Sequence, residues 1–415
     1  MRITVAAISA PTPPAGILFA MTDETSPSAS SFAHDVAAAC RTFVAFDATE
    51  TIEAGPIAAT MQIRLHRPSS ITVEYQSYTN PLLDLEEHLT GDAEFTGEEI
   101  VGLSLHYDGQ RTWCYDASTG VCLVKPSRAL FEPVPEMDLV GDIEYLRDLP
   151  HDYLVRDAGV ETLDGREARV LSLKPKRAQH AHAFKLVAFL MEKASVAFDA
   201  ESRFPVRLTF TPAPSTQTAQ LLGPGGRVAV RYEGLRFPAD PPTPFAPPEG
   251  TRVFHESAIP FSELAGRLPF PFPSSSFADA GFDAIERGAR LTEDAENERA
   301  YAIASFLPKD EAEGASPRLI TVRVGNYLSR NMARRRIAAS ESGEEQALAD
   351  HTARFLDRRP LWEENASGLD ADRAPRELSW EVDGVFWFLT GYGVERGTLV
   401  EIAAGLIATS QASSS

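Results

Sequence analysis

The chain has few of the residues that most often announce chemistry. Three cysteines, Cys40, Cys114 and Cys122, are spread over 415 residues, and no Cys/His cluster has the spacing of a zinc site. No run of 18 or more apolar residues occurs, so no segment reads as a membrane-spanning helix. Positive charge is also scarce: 39 Lys and Arg stand against 59 Asp and Glu, for a net charge of -20. That balance argues against nucleic acid, which demands a concentrated basic face, and against attachment to anionic lipid through surface charge. Missing too are a Gly-x-Ser-x-Gly elbow, a His-Glu-x-x-His helix, a phosphate loop and a Gly-x-Gly-x-x-Gly turn after a strand. No nucleophile–base constellation is therefore in view, and the chain reads as non-enzymatic.

What is present is alternation. Met61, Ile63 and Leu65 alternate with polar neighbours, as do Ile71, Val73 and Tyr75, and then Leu103, Leu105 and Tyr107 after Val101. Later runs repeat it at Leu171 and Leu173, at Val206, Leu208 and Phe210, and at Val228, Val230 and Tyr232. A period of two predicts strands with one apolar and one wet face. So many strands without βαβ units predict a mostly antiparallel, strongly curved sheet. In the first 250 residues, helical spacing is found at Phe32–Phe46 and at Gln179–Ala194, where Phe184, Val187, Leu190 and Met191 make an apolar stripe. Residues 22–33 read as a polar linker, and Pro126–Pro150 as a loop with short helices.

A Pro-rich stretch, residues 237–250, closes the first part as a hinge. The second part carries a predicted helix near Ser276–Gly288, strands at Tyr301–Phe306 and Leu319–Gly325, and an acidic connection. It ends in a hairpin about Asp383-Gly384 and a last helix over Glu395–Ile407. The expected division is a leader-like segment 1–33, a sheet domain 34–255 and a smaller α+β domain 256–415. Met1–Ala10 starts like a signal peptide, but Pro11, Pro13 and Pro14 interrupt it. Ala37–Cys40 reads as helix rather than as a lipoprotein cleavage box.

The phrases Tyr107-Asp-Gly…Trp113-x-Tyr-Asp116, Leu163-Asp-Gly-Arg-Glu…Leu173-Lys-Pro175 and Phe198-Asp…Phe204-Pro-Val206 occur in this order. Tyr232-Glu-Gly-Leu-Arg-Phe237…Phe245-Ala-Pro-Pro-Glu-Gly250 follows them. Together they resemble the LolA/LolB/RseB-like lipoprotein-carrier superfamily over residues 34–255. The tail, with Leu378-Ser-Trp380, Asp383-Gly384 and Leu389-Thr-Gly391, resembles a domain of unknown function in exported, anti-sigma-like bacterial proteins. The resemblance implies an α+β chain whose unclosed half-barrel wraps round a helical lid and encloses an apolar cavity for acyl chains. It further implies an extracytoplasmic location. The partners it implies are an acyl chain or lipoprotein, or else a membrane-anchored envelope protein met by a two-domain regulatory module. No cofactor is implied.

The cavity candidates are Leu65, Val73, Tyr75, Leu103, Leu105, Leu171, Leu173, Leu208 and Phe210 on the sheet, and Phe184, Val187, Leu190 and Met191 on the lid. Each is equally an ordinary core residue by pattern alone. Burying a C16 chain is worth roughly 10 kcal/mol before ordering costs, at about 0.8 kcal/mol per methylene. Cys114 and Cys122 flank a predicted hairpin turn, so they are either a cross-strand disulfide or two reduced thiols. His180 and His182 lack a nearby third ligand and read as solvent-facing.

Overall fold

Alternation becomes strand pairing where the turn between two runs can take a positive φ, and this chain supplies such turns at Asp-Gly pairs. Asp164 and Gly165 sit at φ 50° and 75°, and Asp383 and Gly384 at 51° and 76°. Both central residues of a two-residue hairpin turn adopt this region, which suits the right-handed twist of the strands it joins. A computed structural model describes residues 27–42, 44–66, 70–81, 88, 96–108, 110–126, 149–176, 191–212, 222, 226–238, 240, 243–286, 288–294, 299–309, 318–361 and 373–413.

In chain order the elements begin with α1 (Pro27–Thr42), β1 (Ala45–Ala54), β2 (Ile57–His66), β3 (Ser70–Thr79), α2 (Gly97–Ile100), β4 (Leu103–Tyr107), β5 (Arg111–Asp116) and β6 (Val121–Pro126). Next come α3 (Leu149–Asp152), β7 (Tyr153–Leu163), β8 (Arg166–Pro175), β9 (Met191–Asp199), β10 (Pro205–Pro212), β11 (Val228–Arg236) and β12 (Arg252–Ile259). The chain continues with α4 (Phe261–Arg267), α5 (Ser275–Asp279), β13 (Phe282–Ala284), β14 (Ala289–Asp294), β15 (Arg299–Pro308) and β16 (Leu319–Gly325). It ends with α6 (Arg330–Ser342), β17 (Glu344–Leu348), β18 (His351–Asp357), β19 (Pro375–Val382), β20 (Val385–Tyr392) and α7 (Arg396–Ser413). Among the described residues, no helix is long and apolar enough to cross a membrane.

The chain forms two compact units. One comprises Met1–Phe43, Ile52–Gly55 and Pro135–Leu235; the other comprises Val44–Thr51, Pro56–Val134 and Arg236–Ser415. In the first, β7, β8, β9, β10 and β11 follow one another as an open antiparallel ladder. Its buried side includes Leu171, Val196, Leu208 and Val230. Helix α1 packs through Phe32, whose ring meets Phe198 edge-on at 6.1 Å while the Arg169 and Arg203 guanidiniums lie over it. The β9–β10 turn is held by Asp199, whose carboxylate accepts from the Ser202 N–H and hydroxyl at 2.7 and 2.8 Å.

In the second unit, β2 through β6 form an antiparallel meander. Strand β12 then lies parallel to β6 and antiparallel to β14. The ladder continues through β15, β16, β20, β19 and β18 to β17. Strand β16 shows how its two faces differ. Ile320, Val322 and Val324 join a core with Leu399, Ile402 and Leu406 of α7, whereas Thr321 and Arg323 take the opposite face. Trp380 and Trp387 stack at 5.7 Å, and Phe277 and Phe306 at 3.8 Å, within that core.

Several sequence expectations are corrected. Helix α1 starts at Pro27, inside the stretch read as linker, and ends at Thr42, so Ala45 and Phe46 belong to β1 rather than to a helix. Cys40 is helical as expected. Met191–Ala194 is strand, not the end of an amphipathic helix: its backbone pairs with β10. Only Ser275–Asp279 is helical where a helix to Gly288 was predicted; Gly281, at φ 85°, ends that turn and β13 follows. The connection read as acidic holds the Arg-rich helix α6 and two strands. The Pro-rich stretch is pinned: Phe245 stacks on His106 at 3.7 Å and touches Trp113 and Tyr115 at 6.1 Å. Most of the leader-like segment, the loop 127–148, the lid residues 177–190 with His180 and His182, and most of the acidic run 309–313 lie outside the described residues.

Candidate functional site

The alternation that builds the second unit also lines a cleft of about 410 Å³. Cys114 of β5 stands opposite Leu123 of β6, and Asp116 opposite both Leu103 and Val121, so these side chains share one sheet face. The parallel register of β12 carries that face onward, with Arg252 beside Val121 and Phe254 beside Leu123. Glu256 then faces Thr292, and Ile303 faces both Arg290 and Arg323. The remaining wall is Tyr327–Ala333, the loop after β16 and the first turn of α6. Ser329 caps that helix by accepting from the Met332 N–H at 3.3 Å.

The sheet floor of the cleft carries apolar and charged side chains together. Leu103, Val121, Leu123, Phe254, Ile303 and Met332 supply the apolar surface, and Cys114 contributes a thiol. Four arginines line it, Arg252, Arg290, Arg323 and Arg330, against two carboxylates, Asp116 and Glu256. A cationic majority inside a chain of net charge -20 focuses an attractive field for anions where most of the surface repels them. Tyr327 stacks on Phe254 at 4.5 Å with the Arg252 guanidinium 5.7 Å from its ring. Burial raises the Tyr327 pKa, and the Asp116 charge adds to this against the opposing pull of Arg252, Arg299 and Arg330.

Helix α6 is tied to the sheet by ion pairs. Arg330 bonds to Asp116, and Arg334 to Glu99 of α2. One turn on, Arg335 is fully buried and bonds to Glu377 of β19, with Thr390 at 3.2 Å. Asn331, a wall residue, accepts from Arg335 Nε at 3.0 Å, and Arg323 donates to Thr390 at 3.4 Å. A polar chain thus runs from the cleft wall to a charge pair behind it. Burial raises the Asp116 pKa, but hydrogen bonds from Thr119 and Ser118 and the charge of Arg330 outweigh it, so the carboxyl lies below its usual value. Among the described residues, no three His, Cys, Asp or Glu side chains are grouped to hold a metal ion.

The expected cavity residues are distributed differently. Leu65, Val73, Tyr75, Leu103 and Leu105 are buried in the second unit, and Leu171, Leu173, Leu208 and Phe210 in the first. Of these nine, Leu103 lines the cleft. Phe184, Val187 and Leu190 lie outside the described residues, as does the side chain of Met191. Of the two alternatives for Cys114 and Cys122, the structure has the reduced thiols, with no disulfide joining them. Cys114 pairs with Leu123 and Cys122 with Tyr115, a one-residue offset that sends the two sulfurs to opposite faces. Sequence reading missed Arg252, Arg290, Arg323, Tyr327 and Arg330. A signal existed in Arg323, the one charge inside the run Leu319–Gly325, and in the basic cluster Arg330–Arg336 of an acidic chain.

No family model matches the sequence, and no curated protein matches it. The chain has a partial likeness, at TM-scores below 0.5, to solved structures. One is the Pseudomonas aeruginosa MucA/MucB complex, at 12% identity over 91% of this chain and 97% of that one, with a TM-score of 0.30. Another is the Mycobacterium tuberculosis lipoprotein LppX, at 11% identity over 52% of this chain and 99% of that one, TM-score 0.32. A third is a LolA superfamily protein from Nitrosomonas europaea, at 13% identity over 51% and 94%, TM-score 0.23.

Proposed function

We propose that this chain is a non-enzymatic, extracytoplasmic binding protein of the cell envelope that takes an acyl chain or a lipidated protein, with the cleft under α6 as its site. The observation that carries this reading is the cleft itself: about 410 Å³ lined by apolar side chains and four arginines. That size lies within the range of sites that enclose a small ligand. Leu123, Phe254 and Ile303 suit a hydrocarbon chain, and each methylene buried there contributes about 0.8 kcal/mol without any catalytic group. The arginines suit the polar end of such a ligand.

Two measurements test it. Native mass spectrometry of the purified protein is expected to show a bound lipid, and a fluorescent fatty acid is expected to be taken up. Leu123→Trp, which fills the floor, should abolish uptake. Uptake that survives this change would move the site to the sheet faces holding Leu65, Val73 and Leu171. No lipid and no uptake in any form would sink the proposal.

A second reading is a regulatory module that binds a membrane-anchored partner. It is favoured by one feature: the cleft walls come from before and after the stretch 237–250, and Arg330–Asp116 and Arg334–Glu99 join those parts. A ligand in the cleft would bear on both. Retention of an envelope protein that is lost when the cleft is filled by lipid would support this reading.

A further inference from the structure

Resting on the reading of the cleft as a lipid site, we propose that Asp116 is a built-in competitor for the acidic head of the ligand. In this structure the Asp116 carboxylate holds the Arg330 guanidinium, and an acidic amphiphile binds by taking Arg330 over. Asp116 thereby sets how strongly the cleft prefers acidic over neutral heads.

Three observations support the exchange. First, Asp116 and Arg330 both line the cleft, and their side chains are 11% and 24% exposed, so the pair is at the wall and within reach of a ligand. Second, Asp116 is satisfied without the arginine. Its Oδ1 accepts from the Ser118 N–H at 2.9 Å and the Ser118 hydroxyl at 2.7 Å, and its Oδ2 accepts from the Thr119 hydroxyl at 2.5 Å. These donors belong to the β5–β6 turn that Asp116 organises, so departure of Arg330 leaves no buried carboxylate stranded. Third, Arg330 is the first residue of a 13-residue helix whose first turn has no acidic side chain. A cation there opposes the helix dipole, and that end favours a nearby anion. Asp116 supplies one from outside the helix; a carboxylate or phosphate head offers the same charge with two-point geometry for the guanidinium. With Arg252 and Arg323 also lining the cleft, the incoming head meets further positive charge.

The test compares a fluorescent fatty acid with the fatty alcohol of the same chain length, titrated into the full-length protein. Asp116→Asn keeps an acceptor for the Ser118 N–H and removes the charge that competes for Arg330, whose bonds to the Ser118 hydroxyl and the Glu99 carbonyl remain. It is expected to tighten binding of the acid about five- to tenfold and to leave the alcohol within twofold. Arg330→Gln is expected to weaken the acid alone, and the double substitution should show none of the gain. An Asp116→Asn protein whose acid-to-alcohol affinity ratio equals that of the unaltered chain overturns the inference. If that variant does not fold, Arg330→Gln decides: an unchanged ratio again overturns it. Binding of both probes with unchanged ratios defeats this inference and leaves the proposed function standing. Binding of neither probe to any form defeats both.

Discussion

Arg335 and Glu377 face each other with side chains 0% and 1% exposed, and Glu377 Oε1 is buried with no hydrogen-bond partner among the described residues. Removing two charges from water is costly, and breaking such a pair strands the survivor. We expect Arg335→Met to cost about 3–5 kcal/mol in urea unfolding. The double substitution Arg335→Met with Glu377→Leu should recover most of it, since no charge is then left buried. His106 gives a second residue-level expectation. Its ring stacks on Phe245 and bonds to Thr72 and Ser104. Burial, helped by Arg64, lowers its pKa from 6.5 to about 4. Between those values the unfolded chain binds the extra proton, so stability rises with pH. The contribution is complete above pH 6.5 and lost as pH falls toward 4. After allowance for screening at the exposed part of the ring it amounts to about 2 kcal/mol. Thermal melts across that window should show this slope, and His106→Phe should flatten it.

At the scale of elements, strands with a wet face and a dry face were legible because their period of two is written in the residues. Met61, Ile63 and Leu65 alternate and are buried at 0–7% in β2. The hairpin turns were legible for the same local reason. Cross-strand register was not: Cys114 and Cys122 flank the expected turn, yet an offset of one residue separates their faces. Cys122 is fully buried, and burial pushes its thiol up to about 12, whereas Cys114 faces the cleft. Mass mapping after brief iodoacetamide treatment of the native protein should find Cys114 labelled well before Cys122. A peptide pair joined through these two sulfurs would contradict the structure. Helix α6 escaped notice because Arg330–Arg336 has little apolar periodicity; its support includes ion pairs with residues 200 and more positions away.

For the whole molecule, the division into 34–255 and 256–415 remains a proposal about folding units. A fragment beginning at Glu256 would start inside β12 and lose the pairing of Arg252–His255 with β6. It would also leave Arg330 and Arg334 without Asp116 and Glu99. We therefore expect the fragment 256–415 to melt well below the full chain in calorimetry, with α6 the first helix to lose hydrogen-exchange protection. An equal melting temperature would favour an independent domain.

By itself the sequence determined the strand-rich class, the turns and the lack of a familiar catalytic motif, since each depends on neighbours a few residues apart. The cleft was decided by tertiary structure alone. Its sheet floor comes from β4–β6, β12, β14, β15 and β16, and its remaining wall from Tyr327 to the start of α6. The physical reason is that a parallel pairing between β6 and β12 aligns two faces separated by 130 residues of chain. No local period encodes that alignment, so neither the arginine ring nor the Asp116–Arg330 contact could be read from spacing.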